Sequence, residues 1–202
     1  MIIPKTMAIS DAGTRRATGI TDIHSWLDRL VDLGIDAVQI REKSESMERL
    51  FAIVAQAVVR LGHRIKILIN GRADLAIACG AAGVHLPSRG VPVSALAERF
   101  GGQLMIGVST HSISEIEQAR KDGADYVTFG PVLSTPSKAR YGPCQGLDAL
   151  KAAAGLGLPV VALGGITPAT VPDMWLAGAS GVAAIRAFHD SAELEGMASL
   201  RC

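Results

Sequence analysis

A few short phrases in the chain hold the residues able to do chemistry. Gln39-Ile40-Arg41-Glu42-Lys43 sets an amide and two cations within one extended stretch, where alternation turns Gln39 and Arg41 to the same side. That pair suits an anion or a polar ring, and the competing reading is an internal salt bridge of Arg41 with Glu42 or a neighbouring acid. His111, in Gly107-Val108-Ser109-Thr110-His111-Ser112, is a candidate proton carrier near neutral pH. It can equally be a loop-packing residue beside a helix cap at Ser112. His85 closes another apolar run, as a second proton carrier or as a hydrogen-bond partner for a ring. His24, His63 and His189 stand in helical or turn contexts and are expected at the surface.

Late in the chain Gly164-Gly165-Ile166 and Ile185-Arg186-Ala187 each end an apolar run. Glycine lets backbone N–H groups approach phosphate oxygens, and a helix N-terminus adds a favourable dipole. Between them in kind is the insertion 130–143, whose hydroxyls, cations, prolines and glycines suit a lid over an anion or an ordinary surface loop.

Elements must bring these phrases together. Apolar runs of strand length predict strands over 6–9, 37–41, 66–70, 83–86, 104–109, 126–130, 159–164 and 182–186. Helical spacing predicts helices over 23–33, 47–61, 73–79, 93–100, 112–121, 147–154, 168–177 and 192–200. Gly34, Gly62, Gly80, Gly123 and Gly178 follow helices where left-handed caps are expected, and Thr167-Pro168 resembles an N-cap with a first-turn proline. Three of those glycines open the phrases Gly80-Ala81-Ala82-Gly83-Val84, Gly123-Ala124-Asp125-Tyr126-Val127 and Gly178-Ala179-Ser180-Gly181-Val182, one turn solution used three times. Strands apolar on both sides belong to a parallel sheet covered by helices. Eight units of roughly 25 residues predict a single-domain (β/α)8 TIM barrel over 1–202, of class α/β, with an open doubly wound sheet as the topological alternative. In such a barrel the site lies at the C-terminal ends of the strands, where the phrases above fall, and loops seven and eight are the habitual phosphate cradle.

Composition sets limits. With 49% apolar and 19% charged residues and a formal charge of +1, no global field attracts nucleic acid or an anionic membrane, so an anionic ligand needs a local site. The apolar runs are too short for a spanning helix, and the N-terminus has no secretion-signal pattern, so the expectation is cytoplasmic. Cys79, Cys144 and Cys202 lack disulfide or zinc spacing and are read as incidental thiols.

Along nearly its full length the chain resembles the thiamin phosphate synthase superfamily. The phrases that carry the resemblance are Val38 to Lys43, Ile69-Asn70-Gly71-Arg72-Ala73-Asp74, Gly83 to Leu86, Ile106 to Ser112, the Gly-Pro-Val-x-x-Thr-Pro-Ser-Lys run from Gly130 to Lys138, and Gly164 to Ile166. The synthase joins a pyrimidine diphosphate to a thiazole phosphate, with Mg²⁺ held by two aspartates. At those positions this chain has Gly71 and Gly90, which offer no side-chain oxygen. Asn-Gly-Arg followed by Leu-Pro-Ser is closest to the thiazole tautomerase branch, a metal-independent isomerase acting on a carboxylated thiazole phosphate. The resemblance then implies His111 as the catalytic group and Gln39, Arg41, Lys43, Asn70, His85, Ser109, Thr135, Ser137 and Lys138 around a phosphorylated thiazole. It implies Gly164, Gly165, Ile185 and Arg186 on the phosphate. No cofactor is expected for the tautomerase, Mg²⁺ only for the alternative, a thiamin phosphate synthase; a non-catalytic binder of thiazole or thiamin phosphate is the third reading. Members of the family often pair, so a homodimer is an expected partner state.

Overall fold

The computed structural model describes residues 2–134 and 144–200. Eight strands close into a barrel in chain order, each parallel to its neighbours, with β8 returning to β1. They are β1 (Thr6–Ile9), β2 (Ala37–Ile40), β3 (Lys66–Asn70), β4 (Gly83–Leu86), β5 (Met105–Thr110), β6 (Tyr126–Phe129), β7 (Val160–Leu163) and β8 (Gly181–Ala184). The fold is therefore the (β/α)8 barrel, and the closure of β8 on β1 removes the open sheet. The helices are α1 (Ala12–Ala17), α2 (Ile23–Asp32), α3 (Met47–Leu61), α4 (Ala73–Cys79), α5 (Val93–Phe100), α6 (Ile113–Lys121), α7 (Gly146–Ala154), α8 (Val171–Leu176) and α9 (Ser191–Ser199).

Strand alternation splits the apolar residues between two cores. Ala8, Val38, Ile67, Ile69, Val84, Ile106 and Val127 face outward against the helices, in a cluster that includes Trp26, Leu30, Val54 and Ile116. Met7, Ile9, Ala37, Leu68, Met105, Tyr126, Val161 and Ala183 fill the barrel itself. Both faces of each strand are thus dry, which is why the runs read as continuously apolar. Two residues beyond Ala37, Leu68 and Tyr126 the same inward row carries Gln39, Asn70 and Thr128, so the interior turns polar within one step of the strand.

Several local expectations change. Helix α1 has no counterpart in the sequence reading; Asp11 caps it, accepting from the Thr14 amide at 2.8 Å. Helix α8 begins at Val171, with Pro172 in its first turn, because Thr170 Oγ1 accepts from the Thr167 amide (2.9 Å) and donates to the Gly165 carbonyl (3.0 Å), holding 167–170 as a separate turn. Gly62 is right-handed at φ −59°, since the chain leaves α3 through further turns closing on Leu61; Gly34, Gly80, Gly123 and Gly178 are left-handed as expected. The β8 strand stops at Ala184, and Arg186 opens a short 3-10 turn, Arg186–Phe188. Among the described residues no helix is long and apolar enough to cross a membrane.

Candidate active site

The C-terminal ends of the strands open on a cavity of about 1010 Å³. Gln39, Arg41, Lys43, Asn70, His85, Ser109, His111, Gly164, Gly165, Ile185 and Arg186 all line it. Thr135, Ser137 and Lys138 lie outside the described residues, as does most of the proposed lid.

The floor is a row of neutral polar groups. Asn70 Nδ2 donates to Gln39 Oε1 at 2.9 Å, and Gln39 is buried. Next along the barrel, the His85 ring bonds through Nδ1 to the Tyr126 hydroxyl (2.9 Å) and through Nε2 to Ser109 Oγ (3.0 Å). Burial pushes His85 down to about 4, so its ring is neutral at physiological pH; burial first, and the Asp125 charge second, push the Tyr126 phenol up. Gly107 makes this arrangement possible. A Cβ there would stand 2.1 Å from Tyr126 Cζ, so the phenol ring crosses the barrel over a missing side chain.

The rim is charged. Arg41 Nη1 lies 3.2 Å from Asp11 Oδ2, with both side chains half-exposed. Burial pushes the Asp11 carboxyl up, but the amide and hydroxyl of Thr14 and the Arg41 guanidinium outweigh it and hold it below the usual carboxylate range. Glu42 does not pair with Arg41. It turns away from the cavity into a buried ion pair with Arg15 at 3.2 Å. Across β1, the β7 and β8 ends contribute Gly164, Gly165, Ile185 and Arg186. Gly164 (φ +100°) and Gly165 (φ +68°) need glycine twice over: a Cβ at Gly164 would lie 2.6 Å from Pro131 Cα, and one at Gly165 2.5 Å from Leu133 Cβ.

His111 packs its loop and also faces the cavity. Ser112 caps α6, accepting from the Glu115 amide, while His111 Nδ1 lies 2.6 Å from the Gly130 carbonyl and the exposed ring lines the cavity. A carbonyl only accepts, so Nδ1 carries the hydrogen and Nε2 of the neutral ring keeps a free lone pair. His189, expected at the surface, is instead buried: it stacks on Trp26 with centroids 4.6 Å apart and donates from Nδ1 to the Ile185 carbonyl at 2.7 Å. His24 is half-buried and His63 exposed.

Asp11, Thr14, Tyr126, Thr128, Thr167 and Glu193 are site or supporting residues that the sequence reading missed. The detectable signal was Asp11 two residues past a strand end and three before Thr14, an N-cap at the barrel mouth.

The cavity does not fit a carboxylate-held Mg²⁺. Gly71 is left-handed at φ +69° and its amide donates to the His85 carbonyl at 2.8 Å, so the glycine serves the backbone of this turn. A Cβ at Gly90 would press on Pro87 Cγ at 3.1 Å. Asp74 is bound to Arg72 at 2.6 Å on the surface, Glu42 is buried against Arg15, and Asp11 is engaged by Arg41. Among the described residues no three His, Cys, Asp or Glu side chains gather as a metal site.

Comparison with known proteins places relatives beside this geometry. A family model described as thiamine monophosphate synthase matches residues 7–188. A Geobacter sulfurreducens protein that carries the name thiamine-phosphate synthase provisionally is 42% identical over 176 residues, 86% of this chain and 82% of its own length. The thiamine-phosphate synthase of Chloroflexus aurantiacus is 36% identical over 182 residues, 89% and 82% of the two chains. Among solved structures, thiamine phosphate pyrophosphorylase from Pyrococcus furiosus matches with a TM-score of 0.81 at 25% identity, covering 96% of this chain and 91% of that one.

Proposed function

The chain belongs to the thiamine monophosphate synthase family, and we propose that its cavity joins a pyrimidine diphosphate to a thiazole phosphate. The observation that carries this reading is the pairing of two rim clusters, the Arg41 and Lys43 cations on one side of β1 and Gly164, Gly165 and Arg186 on the other, above a neutral floor. The named relatives favour the synthase over the isomerase. In the coupling, a carbon–nitrogen bond forms between the pyrimidine methylene and the thiazole nitrogen, the carbon–oxygen bond to the diphosphate breaks, and inorganic diphosphate leaves. Arg41 and Lys43 neutralise charge on the leaving group, while Gly164, Gly165, Ile185 and Arg186 hold the thiazole phosphate. Gln39, Asn70 and His85 orient the rings without changing charge themselves. The cations of the rim carry the charge stabilisation in this reading.

A second reading is kept by Gly71 and Gly90, which present no side-chain oxygen to a metal. A tautomerase moves a proton and needs no diphosphate chemistry, and His111 Nε2 is then the base. Two assays on the purified chain, each with and without Mg²⁺, separate the readings. Release of inorganic diphosphate together with thiamin phosphate supports the synthase. Solvent deuterium entering a carboxylated thiazole phosphate with no coupling replaces it by the tautomerase, and His111→Asn then abolishes that exchange. Ligand affinity with neither reaction leaves the binder.

A further inference from the structure

Helix α1 and the end of β2 are joined twice. Asp11 and Arg15 sit one turn apart at the start of α1, where the Arg15 amide donates to the Asp11 carbonyl at 2.9 Å. Arg41 and Glu42 are adjacent, and alternation sends one side chain into the cavity and the other behind it. The two acids and two arginines therefore close a ring: Asp11 to Arg41 at 3.2 Å in front, and Arg15 to Glu42 at 3.2 Å behind. The front pair is half-exposed; in the rear pair the side-chain exposures are 6% and 0%. Arg15 also donates to the Thr21 carbonyl at 3.1 Å, and the Arg41 amide donates to Ser10 Oγ at 2.8 Å, so both sides of the ring are tied to the barrel.

Stability does not account for the rear pair. Removing both charges from water offsets most of their attraction, and well-packed apolar side chains do as well or better. The pair is also incompletely satisfied, because Arg15 Nε and Glu42 Oε1 have no hydrogen-bond partner among the described residues. What the pair does supply is a link between the two segments: Arg15 Nη2 meets Glu42 Oε2 at 3.2 Å while Arg15 Nη1 donates to the Thr21 carbonyl, so the buried guanidinium is held from two sides. What is fixed here is the backbone between Arg41 and Lys43, the two cations of one rim.

We infer that Arg15 and Glu42 are positioning residues, which hold Arg41 against Asp11 at the distance from which it can also receive an anion in the cavity. The inference rests on the reading of Arg41 as an anion ligand. Without the rear pair, α1 and the β2 end slide relative to each other, and the Arg41 guanidinium leaves Asp11 and swings to solvent.

The test uses the full chain and inorganic pyrophosphate as probe, with affinity measured by calorimetry. Arg41→Ala weakens pyrophosphate binding about tenfold, the loss of one charge-assisted contact. The joint variant Arg15→Met with Glu42→Leu keeps a wild-type or higher melting temperature yet weakens pyrophosphate about fivefold or more. Adding Arg41→Ala to that variant costs less than it does alone, because the guanidinium is already misplaced. In the coupling assay the pair variant raises KM for the diphosphate substrate more than it lowers kcat. Wild-type affinity in the folded pair variant, or additive losses, overturns the inference while leaving Arg41 its role. If Arg41→Ala is itself silent, the anion-ligand reading fails and takes the inference with it. Glu42→Asp guards against a pair variant that does not fold: it keeps the charge opposite Arg15 on a side chain one methylene shorter, which shifts the contact and loosens pyrophosphate, and unchanged affinity there also overturns the inference.

Discussion

The floor and the rim of the cavity are built from opposite materials. The floor is neutral and largely buried, with Gln39, His85 and Tyr126 buried and Asn70 and Ser109 half-buried: Gln39 meets Asn70, and His85 lies between Tyr126 and Ser109. The rim is half-exposed and charged, with Arg41 bridging Asp11, and Lys43 and Arg186 also facing the cavity. A neutral network in a dry interior discriminates by shape and by unpaired donors, at a cost of about 1–3 kcal/mol for each group left unsatisfied. Solvated cations on a rim attract and hold anions and contribute little to folding. Substitutions in the floor are therefore expected to appear first as lost stability, and substitutions in the rim as lost affinity.

The sharpest break of the floor is Gly107→Ala. A Cβ 2.1 Å from Tyr126 Cζ cannot be accommodated without expelling the ring, and the ring is fully buried. The expected loss is at least about 3 kcal/mol in denaturant unfolding, the upper end for overpacked cores.

Protonation tests the same region without a substitution. The unfolded chain titrates His85 near 6.5, and burial lowers it to about 4 in the folded barrel. Between those values the unfolded chain binds the extra proton, so stability is complete above pH 6.5, falls as pH drops from 6.5 towards 4, and levels below that. At about 1.4 kcal/mol per unit the loss is roughly 3 kcal/mol. His85→Gln removes most of that slope in pH-dependent unfolding. A residual slope of the same sign comes from His189, which burial also lowers despite the raising effect of its bond to Ile185. Tyr126→Phe ranks next: it strips His85 Nδ1 of its partner and is expected to cost about 1–2 kcal/mol, measured in the same unfolding assay.

How much of this was legible in the sequence follows the same division. The strands were legible because burial on both faces leaves unbroken apolar runs, and five of them, β1, β2, β3, β4 and β6, begin where the pattern places them. The polar phrases were legible because each ends such a run at the barrel mouth. Helix α1 was not, since Ala12 to Ala17 carries no apolar stripe and is held by a cap and two ion pairs. Nor was the burial of His189, which depends on Trp26 from a distant helix, or the role of Gly107, which is decided by a ring on the next strand. Gly71 was read for the carboxylate it lacks, whereas the structure shows the left-handed turn it makes. Patterns within one segment reach the sequence; contacts between segments do not.

Arg41→Ala is the counterpart on the rim and the smallest effect on folding. Its ion pair with Asp11 is half-exposed at 3.2 Å, where solvent screens the attraction and the median contribution is about 0–1 kcal/mol. Asp11 keeps its cap on α1 through the Thr14 amide and hydroxyl, so the helix start survives the loss. The melting temperature is expected to move by only a few degrees, about what 1 kcal/mol shifts in a domain of this size. Pyrophosphate affinity falls about tenfold in the same protein and falls further as salt is raised, because the remaining cations are screened. A variant that instead loses as much stability as Tyr126→Phe, with affinity intact, would make Arg41 a structural residue like those of the floor, and the division between the two regions would fail at its charged edge.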